Sequence, residues 1–470
     1  MQCINAEQNI RIKMKTKLSI AIGLLLVSNA IAQQQFSGLL NSPRVSLMQG
    51  LNNPAELVNL DKKNEITGAN FSIQMSNNKI ASQDLFSGSN LESKLFNSTG
   101  DINMNATTQL TSLGYGLRWK RFGVSISANT YGIFNLENIN PQLSDALVNS
   151  GGNFYSIMPM NIQSNKLQQI NATLYTDIAA GFGVKLLNLD KHKLSAGINA
   201  KLLLPKAFVN IGIDNLNAQL IPINQNVNAL TATGNINIAY SADTKFDASS
   251  INPFENMSLA TIKGVSLGFG FNYQLYRTKD LESKKNNNYF INIGGSYSDT
   301  GKIKFNSNNT KTHNYLLNIT PSLANPNGLD LTQIGNISNP NDLYNYLTTN
   351  NYLSAGTSTN SVEIELPRKI NLYADIKLIK VLYASVYWQK NTNKISNTTL
   401  STPDYLTLTP RLVLGNFELF TPVTNSSLAA TTIGAGIKWG MFYLTSGSGL
   451  SMLLSDTKQA DLSIGFSKGF

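Results

Sequence analysis

The last twelve residues, Gln459 to Phe470 (QADLSIGFSKGF), constrain the fold more than any other stretch. Ala460, Leu462, Ile464, Phe466 and Phe470 fall at alternate positions, with Asp461, Ser463, Gly465 and Ser467 between them. A period of two puts the two sets on opposite faces of a β-strand. Lys468 interrupts the apolar face near its end. The pattern predicts a final amphipathic strand that closes on a terminal aromatic.

The same alternation recurs at 69–75, 113–119, 124–128, 174–186, 194–204, 265–275, 291–293, 370–378, 382–388 and 433–439. Several runs reach ten residues or more, whereas a soluble strand averages about five or six. A tilted membrane strand needs about 9–11. The faces opposite the apolar ones are rich in Gly, Ser, Asn and Lys, which suits a wet lumen inside an apolar wall. Trp119, Trp388 and Trp439 fall at or near strand ends, where an aromatic girdle belongs.

The N-terminus carries an export pattern. Met14 to Lys17 is basic, 18–27 (LSIAIGLLLV) is apolar, and Ala30 and Ala32 form an Ala-x-Ala site. Cleavage after Ala32 is expected, with residues 1–13 an upstream extension. The apolar run is too short to span a bilayer, which takes roughly 20 residues. The one cysteine, Cys3, falls in the removed part, so no disulfide scaffold or cysteine metal site is expected. Removing residues 1–32 takes away four basic residues and one acidic, leaving 33 against 26, or +7. The basic residues are scattered singly, unlike a nucleic-acid surface.

Connection lengths support one reading. Tight turns at 120–121, 187–192, 379–380 and 440, and a longer one at 277–288, alternate with long connections at 76–107, 135–170, 206–261, 308–360 and 392–427. An up-and-down membrane barrel has short turns at one end and long loops at the other. The expected fold is therefore all-β: a transmembrane antiparallel up-and-down barrel of 12–14 strands. Residues 232–245 would add a hairpin to reach fourteen, and Asp-Thr-Gly within 296–305 is expected to be a kink or bulge in a strand. The division is 1–32 extension and signal peptide, 33–62 N-terminal hatch, and 63–470 barrel.

Three patterns resemble known families. The closing strand with its Phe466 and Phe470 resembles the insertion signal of bacterial outer-membrane barrels. Asn53-Pro54-Ala55, shortly before the first strand, resembles the hatch motif of FadL-like barrels, the long-chain fatty acid transporters; Glu56 stands where that family has Gly. Gly264 to Tyr276, Ser296 to Phe305, Leu366 to Lys369 and Trp439 to Gly449 resemble a Bacteroidota outer-membrane family of unknown function, similar in style to barrels of secretion and gliding systems. These resemblances imply residence in the cell outer membrane.

Arg118, Asp177, Lys185, Lys201, Asp375, Lys377 and Lys438 are expected to face the lumen. They either brace the wall or line a path for an anionic or amphipathic ligand. The two histidines, His192 in a short turn and His313 in a long loop, lack the local pattern of a nucleophile site, so catalytic residues, metal and cofactors are each expected to be none. Expected partners are outer-membrane lipid, the barrel assembly machinery, and a small hydrophobic ligand or secretion-system subunits; no nucleic acid is expected. The leading function is passive transport or binding of a small hydrophobic or amphipathic ligand; the alternative is a non-transporting scaffold of a secretion or gliding complex.

Overall fold

A computed structural model describes residues 36, 38–40, 42, 45–86, 91–149, 160–224, 227–241, 261–281, 288–322, 326–334, 337, 339–454 and 457–470. The expected signal peptide and the first residues of the expected hatch lie outside them.

Fourteen antiparallel wall segments close a ring. They begin with β1 (Asn64–Asn77), β2 (Ile102–Trp119) and β3 (Phe122–Ile139). The short β4 (Met160–Ser164) precedes β5 (Gln168–Asn188) and β6 (His192–Asn224). After β7 (Val227–Ser241) the wall resumes with β8 (Val265–Leu275) and β9 (Ile291–Ser298). The chain then leaves the wall through β10 (Lys302–Phe305), β11 (Thr310–Ile319), β12 (Leu329–Asp330), β13 (Leu353–Thr359) and β14 (Val362–Glu365). It returns as β15 (Lys369–Lys377), β16 (Leu382–Asn391) and β17 (Tyr405–Leu414). One broken segment is β18 (Phe417–Phe420) with β19 (Val423–Ser426); the next is β20 (Ala430–Ile433) with β21 (Ala435–Trp439). β22 (Phe442–Ser446) and β23 (Gln459–Gly469) finish the wall. β23 pairs with β1 from Glu65↔Gly469 to Ser76↔Gln459, so the sheet has no edge along this join.

The outward faces are apolar and open: Leu113, Ile126, Val265, Phe269 and Leu408 are each about half exposed. A soluble protein rarely shows an apolar patch above a few hundred Å². A belt around the whole ring is instead the surface that lipid covers. Inward positions on the same strands, such as Ser127, Asn129, Asn199 and Asn272, are buried and polar. Two-residue turns follow β2, β17 and β21, with Lys120, Gly415 and Gly440 at positive φ, the backbone that suits tight hairpins. The turns and both ends of the wall lie at one end of the ring, here the turn end; the longer connections lie at the loop end.

The wall is assembled differently from the expectation in three places. Residues 405–426, expected within a long loop, form a wall hairpin around Gly415. Its prolines, Pro410 and Pro422, sit where β17 changes partner from β18 to β19, so neither interrupts a continuous ladder. β6 does not end near 205; it runs on above the wall and pairs with β7, which joins a loop-end sheet with β11 and β13 rather than the ring. That sheet carries its own core, including Leu220, Ile238, Leu317 and Leu347. At Asp299 the chain turns away at φ +60, and β10 pairs with β14 in a separate two-stranded sheet instead of a bulged wall strand. Ile303, Phe305 and Ile364 from that sheet pack on Ile133, Tyr175 and Phe208 of the wall, closing over the loop end of the lumen.

Candidate ligand site in the barrel lumen

The described residues between Phe36 and Leu60 lie inside the ring. Helix Ser46–Asn52 and the 3-10 turn Pro54–Asn59 contact β2, β3, β5, β6 and β8. Asn53 caps the turn: its side-chain oxygen accepts from Ala55 N at 3.1 Å, while its amide donates to Phe271 O and the Tyr373 hydroxyl, each at 2.9 Å. Pro54 takes the first helical position, where no N–H is needed. Ala55 O accepts from Ser195 Oγ at 2.9 Å. The wall is hollowed to receive this turn. A Cβ on Gly197 would lie 2.3 Å from the Pro54 carbonyl carbon, one on Gly123 2.2 Å from Leu57 O, and one on Gly270 1.9 Å from the Asn53 side chain.

Carboxylates fix the segment. Glu56 accepts from Tyr373 (2.5 Å), Gln49 (3.1 Å), Asn59 (2.7 Å), Asn272 (2.7 Å) and Asn292 (2.9 Å). Burial pushes the Glu56 carboxyl above the usual carboxylate range despite those donors. Glu65 of β1 accepts from Ser46 Oγ at 2.7 Å and Leu47 N at 3.0 Å, and Glu418 accepts from Ser42 Oγ at 2.8 Å.

Above the segment lies a cavity of about 100 Å³. A water takes about 10–15 Å³ by this measure, so the space suits several waters or a small solute and not a long acyl chain. Its floor is apolar, from Phe36, Leu40, Met48 and Leu51; its walls carry Asn70, Gln109, Thr111 and Asn129 with the rings of Tyr131, Tyr387 and Tyr405. Lys201, Asp299, Lys369 and Ala179 of β5 also line it. Lys201 Nζ lies 2.6 Å from Asp299 and 3.6 Å from Asp177, and Lys369 lies 3.4 Å from Asp299. Burial alone would raise the Asp299 carboxyl, but Lys201 and Lys369 hold it down at about 2. Asp299 thereby ties the turn that leads into β10 to two wall strands.

The seven charges expected in the lumen do not meet at one point. Lys201 lines the cavity with Asp177 behind it. Asp375 pairs with Arg411 at 2.5 Å and accepts from the Tyr289 hydroxyl at 2.6 Å. Lys377 pairs with Asp280, on a short turn-end helix, at 3.2 Å. Arg118 and Lys185 stand toward the turn end on β2 and β5, and Lys438 donates to Gly440 O in the turn after β21. Arg411, Glu418, Asp299, Lys369 and Glu56 complete the networks and were not anticipated from the sequence. Arg411 and Glu418 alternate inward within 405–420, a signal available once that stretch is read as a hairpin.

His192 Nδ1 sits 2.7 Å from the Tyr273 hydroxyl at the turn end; His313 stacks on Tyr344 at 3.6 Å in the loop-end layer. Among the described residues, no group of three or more His, Cys, Asp or Glu is placed to hold a metal ion.

Residues 57–447 match a family of unknown function (DUF5723). The chain belongs to this family. No characterised protein matches its sequence. Among solved structures it is similar to the toluene transporter TodX of Pseudomonas putida, at 8% identity and TM-score 0.43 over 89% of this chain and 93% of that one. It is also similar to a deletion mutant of the TodX monoaromatic hydrocarbon channel, at 10% and 0.43 over 94% and 98%. A Pseudomonas aeruginosa FadL homologue aligns at 13% and 0.38 over 93% and 97%.

Proposed function

We propose that this DUF5723 barrel resides in the cell outer membrane and binds or passively transports a small hydrophobic or amphipathic ligand. The observation that carries this reading is the lumen cavity, with its apolar floor of Phe36, Leu40, Met48 and Leu51 and its walls of amides, hydroxyls and tyrosine rings. Small ligands bind in concave sites of this mixed kind, where a few polar groups set orientation. Residues 33–62 act as a hatch: their removal or displacement connects the cavity to the turn end, which faces the periplasm. The paired charges brace wall and roof, and no step of covalent chemistry is required.

Full-length protein in liposomes tests this reading with small amphipathic dyes. Uptake should saturate and exceed that of empty liposomes, and Ala179→Trp, which fills the cavity from β5, should lower it at least fivefold. Uptake equal to empty liposomes overturns the transport reading. A scaffold role has one observation in its favour. β13 is exposed along nearly its whole length, and among the described residues β11 is its one partner in the loop-end sheet. Retention of a secreted partner through that edge, with no uptake of any dye, would establish the scaffold instead.

A further inference from the structure

A row of glycines seats the 3-10 turn, and the rung beyond it carries charge. Gly123, Gly183, Gly197 and Gly270 pair in register across β3, β5, β6 and β8, with Arg118 of β2 beside Gly123. A Cβ on Gly183 would lie 2.6 Å from Pro54 O, so the turn rests on this row. One pleat nearer the turn end, Lys185, Ser195 and Asn272 form the next rung. Ser195 and Asn272 both bond the segment, through Ala55 O and the Glu56 carboxylate. Lys185 does not. One pleat further, Lys193 follows Ser195 on the same face of β6.

Arg118, Lys185 and Lys193 have no counter-ion of their own. Lys185 is 8% exposed, and among the described residues its ammonium meets no carboxylate and no hydrogen-bond acceptor. Lysine is almost never buried to this degree without a partner. Arg118 Nε is buried and unpartnered as well. Lys193 Nζ lies 4.1 Å from the centre of the Tyr276 ring and, among the described residues, pairs with no carboxylate. Lys185 feels the charges of Lys193 and Arg118, and Lys193 feels that of Arg118. Asp61 and Glu65 act on Arg118 through space. Glu65, however, already accepts from Ser46 Oγ, Leu47 N and Lys62 N, and Asp61 is exposed.

The contrast with the rest of the barrel is direct. Lys201, Lys369, Lys377 and Arg411 each face a carboxylate. Three like charges gathered without one repel each other, and a buried unpaired cation costs free energy. A bound anion removes both costs. A single carboxylate would leave two of the three charges unbalanced. A phosphate monoester carries about −1.5 to −2 at pH 7 and offers three acceptor oxygens, one for each cation. The guanidinium fork and the compact ammonium groups are both suited to phosphate.

We propose that Arg118, Lys185 and Lys193 form an anion site at the turn-end mouth of the lumen, which takes a phosphate monoester, free or as a lipid headgroup. The site lies across the 3-10 turn from the cavity, whose nearest β6 residues are Asn199 and Lys201. It does not depend on the transport reading.

Isothermal titration of the full-length protein in phosphatidylcholine nanodiscs tests it, with inorganic phosphate as the probe. Phosphate should bind at one saturable site per chain, at least tenfold tighter than acetate. Lys185→Met and Arg118→Gln should each weaken it at least tenfold; Lys193→Met serves if either fails to fold. Lys380→Met removes an exposed charge from the turn after β15, farther round the ring, and should bind like the parent. Nanodiscs containing phosphatidic acid separate the sources. Phosphate binding at least tenfold weaker there identifies a headgroup as the occupant, and unchanged binding identifies free phosphate; either result supports the site. No saturable binding, parent-like binding by Lys185→Met, or equal weakening by Lys380→Met overturns it.

Discussion

One methyl group at Gly197 should loosen the segment inside the barrel. A Cβ there would lie 2.3 Å from Pro54 C and 2.5 Å from Ala55 N, both backbone atoms that cannot rotate aside. Ordinary contact begins near 3.4 Å, so the turn must move by roughly 1 Å. That shift breaks the 2.9 Å bond from Ser195 Oγ to Ala55 O and stretches the Asn53 bonds to Phe271 and Tyr373. Overpacking costs about 1–3 kcal/mol. Each lost bond adds about 0.5–1.5 kcal/mol. A total near 3 kcal/mol changes the ratio of docked to displaced segment by about two orders of magnitude. Hydrogen exchange read by mass spectrometry on folded Gly197→Ala should show the amides of residues 53–59 exchanging about 100-fold faster than in the parent. Gly132→Ala is the control, because its Cβ meets only the Thr108 hydroxyl and the Leu174 side chain and no part of the segment. Exchange within threefold of the parent in a folded Gly197→Ala barrel refutes the reasoning.

Three further outcomes are expected. Burial raises the Glu56 carboxyl, so docking of the segment is strongest below the unfolded value of 4.5 and weakens as pH rises through the raised one; Glu56→Gln should flatten the dependence of the urea midpoint on pH above 4.5. Asp299 behaves oppositely: held at about 2 against 3.8 unfolded, it contributes about 2 kcal/mol that is present above 3.8 and lost as pH falls through 2. Asp299→Asn should cost about 3–5 kcal/mol by leaving Lys201 and Lys369 short of a partner, with Lys369→Met recovering part of it in a thermal unfolding series. Phe269→Arg, on the lipid face of β8, should cost about 2–4 kcal/mol in equilibrium folding into liposomes.

Period-two alternation made the barrel legible from the sequence, because each wall strand sorts its residues between lipid and lumen. Where that sorting was masked, the reading slipped. Pro410 and Pro422 disguised the hairpin at 405–426, although Leu406, Leu408, Leu412 and Leu414 alternate around them. β6 outran its expected end because a strand leaving the membrane for a loop-end sheet no longer needs an apolar outer face. Asp299 and Gly301 marked a departure from the wall rather than a bulge, a distinction that depends on contacts far away in sequence: a Cβ on Gly301 would sit 2.3 Å from Val265 O. The inward charges were readable one strand at a time. Their partners were not, since Arg411 meets Asp375 and Lys201 meets Asp299 only once the ring is closed. Glu56 stood out as a departure from the FadL-like motif, but its five donors come from the segment, β8, β9 and β15 together.

The central claim is a barrel whose lumen is filled by its own N-terminal segment and opens only to small solutes. Planar-bilayer recording of the full-length protein, beside Gly197→Ala, tests it most directly. The parent should give no steady ion conductance, and Gly197→Ala should give discrete conductance steps. A large, constant conductance from the parent would show an open aqueous lumen and contradict it.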